Sequence, residues 1–131
     1  MDKKHRLINP ELGGGALLDL GPYPLVWALC SLFIHPVNKN QPPSSIVASM
    51  LKTPLTGVDA HTSFILNFET IAAQAILSCA MTVGQAKSPG ASIRCENGTI
   101  KVFGSIPVPS SFTVEWNDEK GELLCLDLEC K

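Results

Sequence analysis

The sequence predicts an α+β domain in which one long helix packs on one face of a largely antiparallel open sheet of about six strands. Three observations carry the prediction. An apolar stretch follows three consecutive glycines and stops at His35-Pro36, the apolar period drops to two from Ser45 onward, and Asn97-Gly98 separates two short alternating runs as a hairpin turn would. At 131 residues the chain fits one domain with a core of its own.

Residues 1–15 read as a loop with a glycine-rich turn, 16–35 as the helix and 45–131 as the sheet. Gly21-Pro22 and Pro24 are poor interior residues, but proline is tolerated in a first helical turn, where the amide has no intrahelical partner. The helix start is therefore open between Ala16 and Pro22. Pro36 ends the helix because it cannot continue the ladder and restricts His35 before it. The uninterrupted apolar run, Leu25 to Ile34, is too short to span a bilayer, so a core helix and no membrane partner are expected.

After a linker at residues 37–44, Ser45 to Lys52 is a short strand candidate. Val58 to Glu69 alternates, with Ile65 the exception: Ala60, Thr62, Phe64, Leu66 and Phe68 share one face, and Asp59, His61, Ser63 and Asn67 the other. Thr70 to Val83 is apolar on both faces. Its alanines also suit a helix, but flanking β-branched residues and the break at Gly84 favour a central strand. Ser92 to Glu96 and Thr99 to Phe103 form the hairpin, with Asn97-Gly98 as a two-residue turn of positive φ. Pro107 and Pro109 interrupt before Phe112, Val114 and Trp116 alternate, and Leu124, Leu126 and Leu128 share one face of a last strand.

Composition excludes several classes of function. Ten Lys and Arg stand against twelve Asp and Glu, a net charge of −2 without a basic cluster, so no nucleic-acid partner is expected. Five scattered cysteines lack metal or redox spacing and read as buried thiols in a reducing, cytoplasmic compartment, and no signal peptide is visible. Histidines 5, 35 and 61 have no paired metal spacing, so no metal site is expected. No serine sits in a nucleophile elbow, and Gly13–Gly15 follows no predicted strand, which argues against a phosphate-binding loop.

Chemistry concentrates at the start of the helix. If the helix includes both residues, Asp19 and Tyr23 are four apart and project from one face, an acid and a phenol beside a glycine loop. An aspartate near a helix start is also a common cap, and a tyrosine on an apolar helix commonly buries its ring, so spacing alone leaves both readings open. His5 and Arg6 are within reach of a ligand above the glycine turn, or are solvated surface. Trp27, four residues beyond Tyr23, lines a sugar site or belongs to the core. His61 falls on the polar side of its strand and reads as solvent-facing.

The run His5-Arg6 and Asn9-Pro10-Glu11-Leu12-Gly13-Gly14-Gly15-Ala16-Leu17-Leu18-Asp19-Leu20-Gly21-Pro22-Tyr23-Pro24 resembles the glucose-fructose oxidoreductase/inositol dehydrogenase (Gfo/Idh/MocA) family. It is most similar to the branch of dimeric dihydrodiol dehydrogenases and NADP-dependent D-xylose 1-dehydrogenases, and the following strands suit the C-terminal domain of that family. The resemblance implies an NADP(H)-dependent oxidoreductase moving a hydride between nicotinamide and a D-xylose-like sugar or a trans-dihydrodiol. Tyr23 would be the proton donor or acceptor, Asp19 would orient the substrate or the phenol, and Trp27 and Arg6 would contact substrate. It further implies a Rossmann domain with a G-x-G-x-x-G turn, and a Glu-Lys-Pro motif whose lysine assists catalysis, neither of which occurs in these residues. The expectation is a substrate and dimerisation domain cut at both ends, with NADP held by a domain outside it. Alone it would be inactive and bind no dinucleotide, while forming a homodimer through its sheet. The alternative is a non-catalytic interaction module or gene fragment that pairs through the same sheet.

Overall fold

The structure is a computed structural model that describes residues 5–83 and 89–130. The charged start at residues 1–4, the break expected at Gly84 and the chain end at Lys131 lie outside the described residues. The α+β class and the antiparallel pairing are as the sequence predicts, and among the described residues the strands number seven, in sheets of three and four. These sheets fall in two compact units, Met1–Val83 and Gly84–Lys131.

In the first unit, helix α1 (Ala16–Leu20) passes into α2 (Pro22–Ala28) and a π-helical turn, Leu29–Phe33. Gly21 keeps right-handed helical angles (φ −59°, ψ −33°), and its amide donates to the carbonyls of Ala16 and Leu17 at 3.1 and 3.0 Å. Gly21-Pro22 therefore marks a seam rather than an end, with Pro22 in a first-turn position where its missing N–H costs little. The helical stretch Pro10–Phe33 is 24 residues with a mean hydropathy of 1.4, long and apolar enough to cross a bilayer by length and composition. One side of it packs on the sheet, where Leu17, Leu25, Leu32 and Phe33 cover Phe64, Leu66, Phe68 and Ala75, and 22 % of its apolar window is buried.

That core belongs to a sheet ordered β1 (Ser45–Lys52), β2 (Asp59–Phe68), β3 (Ala73–Ala80). The inward set Ala60, Thr62, Phe64, Leu66 and Phe68 is buried as the alternation predicts. The central strand is β2, whereas the sequence favoured Thr70 to Val83 for that place. The outward face of β3 carries Gln74, Ile76, Ser78 and Ala80, so Ile76 is the one large residue behind its two-sided appearance. Before it, Glu69–Ile71 forms a 3₁₀ turn closed by Ala72 at φ 48°. Edge strand β1 is exposed throughout, because α1 and α2 lie over β2 and β3.

A bulge interrupts the β1–β2 ladder: Leu51 pairs with His61 but Lys52 pairs with Asp59, leaving Ala60 as an extra residue. It corrects the expectation for Asp59, which is buried with Ala60 instead of lying on the polar face with His61. An inserted residue shifts the face of everything before it by one position.

The second unit is an antiparallel meander of β4 (Ala91–Cys95), β5 (Gly98–Ser105), β6 (Val108–Asn117) and β7 (Leu123–Glu129). Cys95 pairs with Gly98, so the hairpin turn is Glu96-Asn97, one residue earlier than expected and without positive φ. Gly98 instead allows close approach to β6, since a Cβ there would meet Glu115 O and Trp116. Pro107 and Pro109 do not separate the strands; they sit in or beside the tight β5–β6 hairpin, which has a register shift at Phe103/Gly104. Ala91, Ile93, Ile100, Val102, Phe112, Val114, Trp116, Leu124, Leu126 and Leu128 share one face through the cross-strand pairing. The opposite face is polar, with Lys101 Nζ 2.6 Å from Glu115 Oε1 and Thr113 Oγ1 donating to Asp127 Oδ1.

Phe68, at 1 % exposure the most completely enclosed large side chain, anchors the first core. Phe68→Ala is expected to destabilise the first unit by about 3–5 kcal/mol. Exposed Leu18→Ala should cost less than about 0.5 kcal/mol, the two being compared by denaturant unfolding.

Candidate active site

The polypeptide before α1 is wound by short-range bonds. His5 Nδ1 accepts from Leu7 N at 3.3 Å, Asn9 Oδ1 from Glu11 N at 3.0 Å, Asn9 O from Gly14 N at 2.9 Å, and Leu7 O from Gly15 N at 2.8 Å. His5 is therefore a local cap, and Arg6 projects beside it. The Arg6 guanidinium pairs with the Asp19 carboxylate, uniting two of the residues singled out from the sequence. Arg6 is exposed while Asp19 keeps only 18 % side-chain exposure, so the acid is held against the fold by a solvated cation.

Asp19 does not cap its helix. That position is served from β2: Asp59 Oδ2 accepts from Leu17 N at 2.7 Å and from Thr62 Oγ1 at 2.8 Å. Sequence reading missed Asp59 and Thr62 because the bulge that turns Asp59 inward leaves no mark on local periodicity. Beneath them Cys79 Sγ donates to Thr62 O at 3.7 Å. Burial, then the Asp59 carboxylate, push the Cys79 thiol above its ordinary value of 9.0, against a lowering by the Thr62 carbonyl contact.

One helical turn beyond Asp19, Tyr23 is 43 % exposed, and no described residue hydrogen-bonds its hydroxyl. A phenol buried for packing normally has a partner, so this placement departs from the core reading. Trp27 lies a further turn on, half-buried, its carbonyl accepting from Ser31 Oγ at 2.6 Å. His61 faces outward with Nε2 2.6 Å from Thr82 Oγ1, and His35 Nδ1 accepts from Val37 N at 3.3 Å. Among the described residues no three His, Cys, Asp or Glu side chains gather to hold a metal ion. The expected buried thiols are corrected: Cys79 is buried, but Cys30, Cys95, Cys125 and Cys130 are exposed and free, Cys125 among polar residues of the second sheet.

The family model described as the GFO/IDH/MocA C-terminal domain matches residues 1–101, which include the whole Arg6–Tyr23 constellation. The chain belongs to the GFO/IDH/MocA family. It is 35% identical over 104 residues to a D-xylose 1-dehydrogenase (NADP(+)) of Hypocrea jecorina, covering 76% of this chain and 26% of that protein. Trans-1,2-dihydrobenzene-1,2-diol dehydrogenases of Xenopus tropicalis and Xenopus laevis are 32% and 34% identical over 122 and 116 residues, covering 92% and 88% of this chain. The chain thus spans only 26–34% of the length of these relatives. No solved structure matches it.

The GFO/IDH/MocA relatives raise the question of a dinucleotide, and the glycine run does not fit one. A Cβ at Gly14 would lie 2.8 Å from Arg6 O, Asn9 N and Asn9 O, and one at Gly15 would collide with Asp59 Oδ1. Both glycines are packed against their own chain, and a carboxylate stands where a phosphate would need N–H donors.

Folding raises the Cys79 pKa, so the folded state keeps this proton to a higher pH than the unfolded chain does. The corresponding stability is intact below the unfolded value of 9.0 and is lost as pH rises beyond it. Unfolding midpoints measured from about pH 8 to about pH 10 should therefore fall more steeply in the native protein than in Cys79→Ala, which lacks the titrating group.

Proposed function

We propose that this domain supplies the substrate side of an NADP-dependent oxidoreductase acting on the CH–OH group of a D-xylose-like sugar or a trans-dihydrodiol. The carrying observation is the helical run that leaves Tyr23 43 % exposed one turn from Asp19, which is paired with Arg6. Tyr23 exchanges the proton of the substrate hydroxyl. Asp19 accepts a hydrogen bond from a neighbouring substrate hydroxyl or from the phenol. Arg6, beside Asp19, and Trp27, two turns further along the helical run, contact the polyol. A cation from elsewhere in the complete enzyme assists Tyr23 in this proton transfer. The glycine run, packed on its own chain, leaves the dinucleotide to a separate domain, and five free cysteines support a cytoplasmic setting.

In an enzyme containing this domain, Tyr23→Phe should lower kcat by about 10²- to 10⁴-fold with a much smaller change in KM, assayed with D-xylose or trans-1,2-dihydrobenzene-1,2-diol and NADP⁺. A loss under about threefold rejects Tyr23 as the acid/base.

Self-association is the second part of the proposal. Trp116, Leu124, Leu126 and Leu128 lie exposed on the apolar face of the second sheet, and a soluble protein rarely leaves so large a patch bare. We place a homodimer contact there, and the same face serves the alternative role of a non-catalytic pairing module. Leu126→Glu should convert a discrete dimer to monomer in light scattering coupled to size exclusion; a native protein that is already monomeric at tens of micromolar removes the dimer.

A further inference from the structure

Asp59 is a carboxylate at 8 % exposure on a strand whose regular course would turn it outward. The Ala60 bulge turns it inward, and β-bulges characteristically re-aim a side chain in this way. Once inside, it is paired with no cation among the described residues. Its burial is compensated by the Leu17 N–H at 2.7 Å, the Thr62 hydroxyl at 2.8 Å and the partial positive charge of the start of α1. Thr62 is itself 2 % exposed, so the carboxylate is clamped from the strand side as well.

The loop side is shaped to the same group. Gly15 stands at φ 132°, in a region that other residues rarely adopt, and the space a side chain would need there is filled by Asp59 Oδ1. Bulge, clamp and glycine are three separate features that converge on one hydrogen bond, between residues 42 positions apart in sequence.

Resting on the reading of the site given above, we propose that Asp59 is the positioning residue of the Asp19/Tyr23 site. It fixes where and in what rotational phase the helix carrying both residues begins. Leu17, whose amide it holds, is two residues before Asp19 and six before Tyr23, within the same helical run. A start displaced by one residue rotates each following side chain by about 100°. Even a 1 Å displacement of a reacting group can cost about 10²-fold in rate. Asp59 itself touches no substrate.

The test uses the full-length enzyme that carries this domain, with D-xylose and trans-1,2-dihydrobenzene-1,2-diol as substrates and hydrogen exchange read by mass spectrometry. Asp59→Ala should speed exchange in residues 15–20 by about 2- to 30-fold, the scale of losing a helix cap. Exchange in β5 should not change. The same variant should lose about 10²-fold in kcat with KM altered by less than about threefold. Asp59→Asn keeps an acceptor for Leu17 and should recover most of both. If Asp59→Ala does not fold, Thr62→Val takes its place and should speed exchange in the same residues with a smaller loss of kcat. Native exchange at residues 15–20 in the folded variant overturns the proposal, as does faster exchange there with undiminished kcat. The Tyr23→Phe measurement stands apart: an active Tyr23→Phe enzyme alongside an Asp59→Ala enzyme that has lost both kcat and protection rejects the phenol as acid/base but keeps Asp59 as the positioner of the helix.

Discussion

The first unit depends on the hydrogen bond that Asp59 on β2 accepts from Leu17 at the start of α1. Helix ends leave N–H groups without intrahelical partners, and the usual remedy is a Ser, Thr, Asp or Asn one position before the helix. Here that position is Gly15, which has no side chain to offer. The chain instead borrows an acceptor from a distant strand, so the local need of the helix becomes a tertiary constraint. The start of the helix is thereby tied to the sheet, and the acid at the bulged end of β2 is buried against the start of the helix. The same coupling sets the direction in which α1 leaves the loop, and hence the packing of Leu17 and Leu25 on Phe64, Leu66 and Phe68.

Much of this fold could be read from the sequence, because burial imposes a period. The inward residues of β2 from Ala60 to Phe68, and the one-sided pattern of Leu124, Leu126 and Leu128, follow from alternation alone. What could not be read were effects of pairing partners. The Ala60 bulge exists only relative to β1, and the choice of β2 as centre depends on which strands hydrogen-bond. Asn97-Gly98 illustrates the difference well. The dipeptide signalled a hairpin correctly, but Gly98 is required for close approach to β6, and the turn moves to Glu96-Asn97. The candidate site divides along the same line: Asp19 and Tyr23 are neighbours through helical spacing, whereas the contribution of Asp59 is a long-range contact without a local signature.

The second unit solves a different problem. A four-stranded meander has two faces, and in this one the polar face is self-satisfied by the Lys101–Glu115 and Thr113–Asp127 pairs. The apolar face has no helix of its own unit to cover it among the described residues, and the last strand β7 is exposed along its length. Val102, in the middle of that face, is nevertheless buried at 4 % exposure, so the openness lies toward the β7 edge.

The Arg6–Asp19 pair looks at first like a stabilising contact, but its energetics argue otherwise. Arg6 is 70 % exposed, and ion pairs with one solvated partner are worth about 0–1 kcal/mol, offset by the entropy of holding a long side chain. Removing it would cost the fold little. What the pair does is geometric: it links the loop before Gly13 to the helix after Gly15, across a glycine run that the Gly14 N–Asn9 O and Gly15 N–Leu7 O bonds already hold. Asp59 meets that run at Gly15 and Leu17, and Arg6 reaches past it to Asp19. A carboxylate paired with one exposed cation is positioned without complete burial, and Asp19 keeps 18 % side-chain exposure. A buried pair would have been fixed but unavailable, and a free surface aspartate available but unfixed.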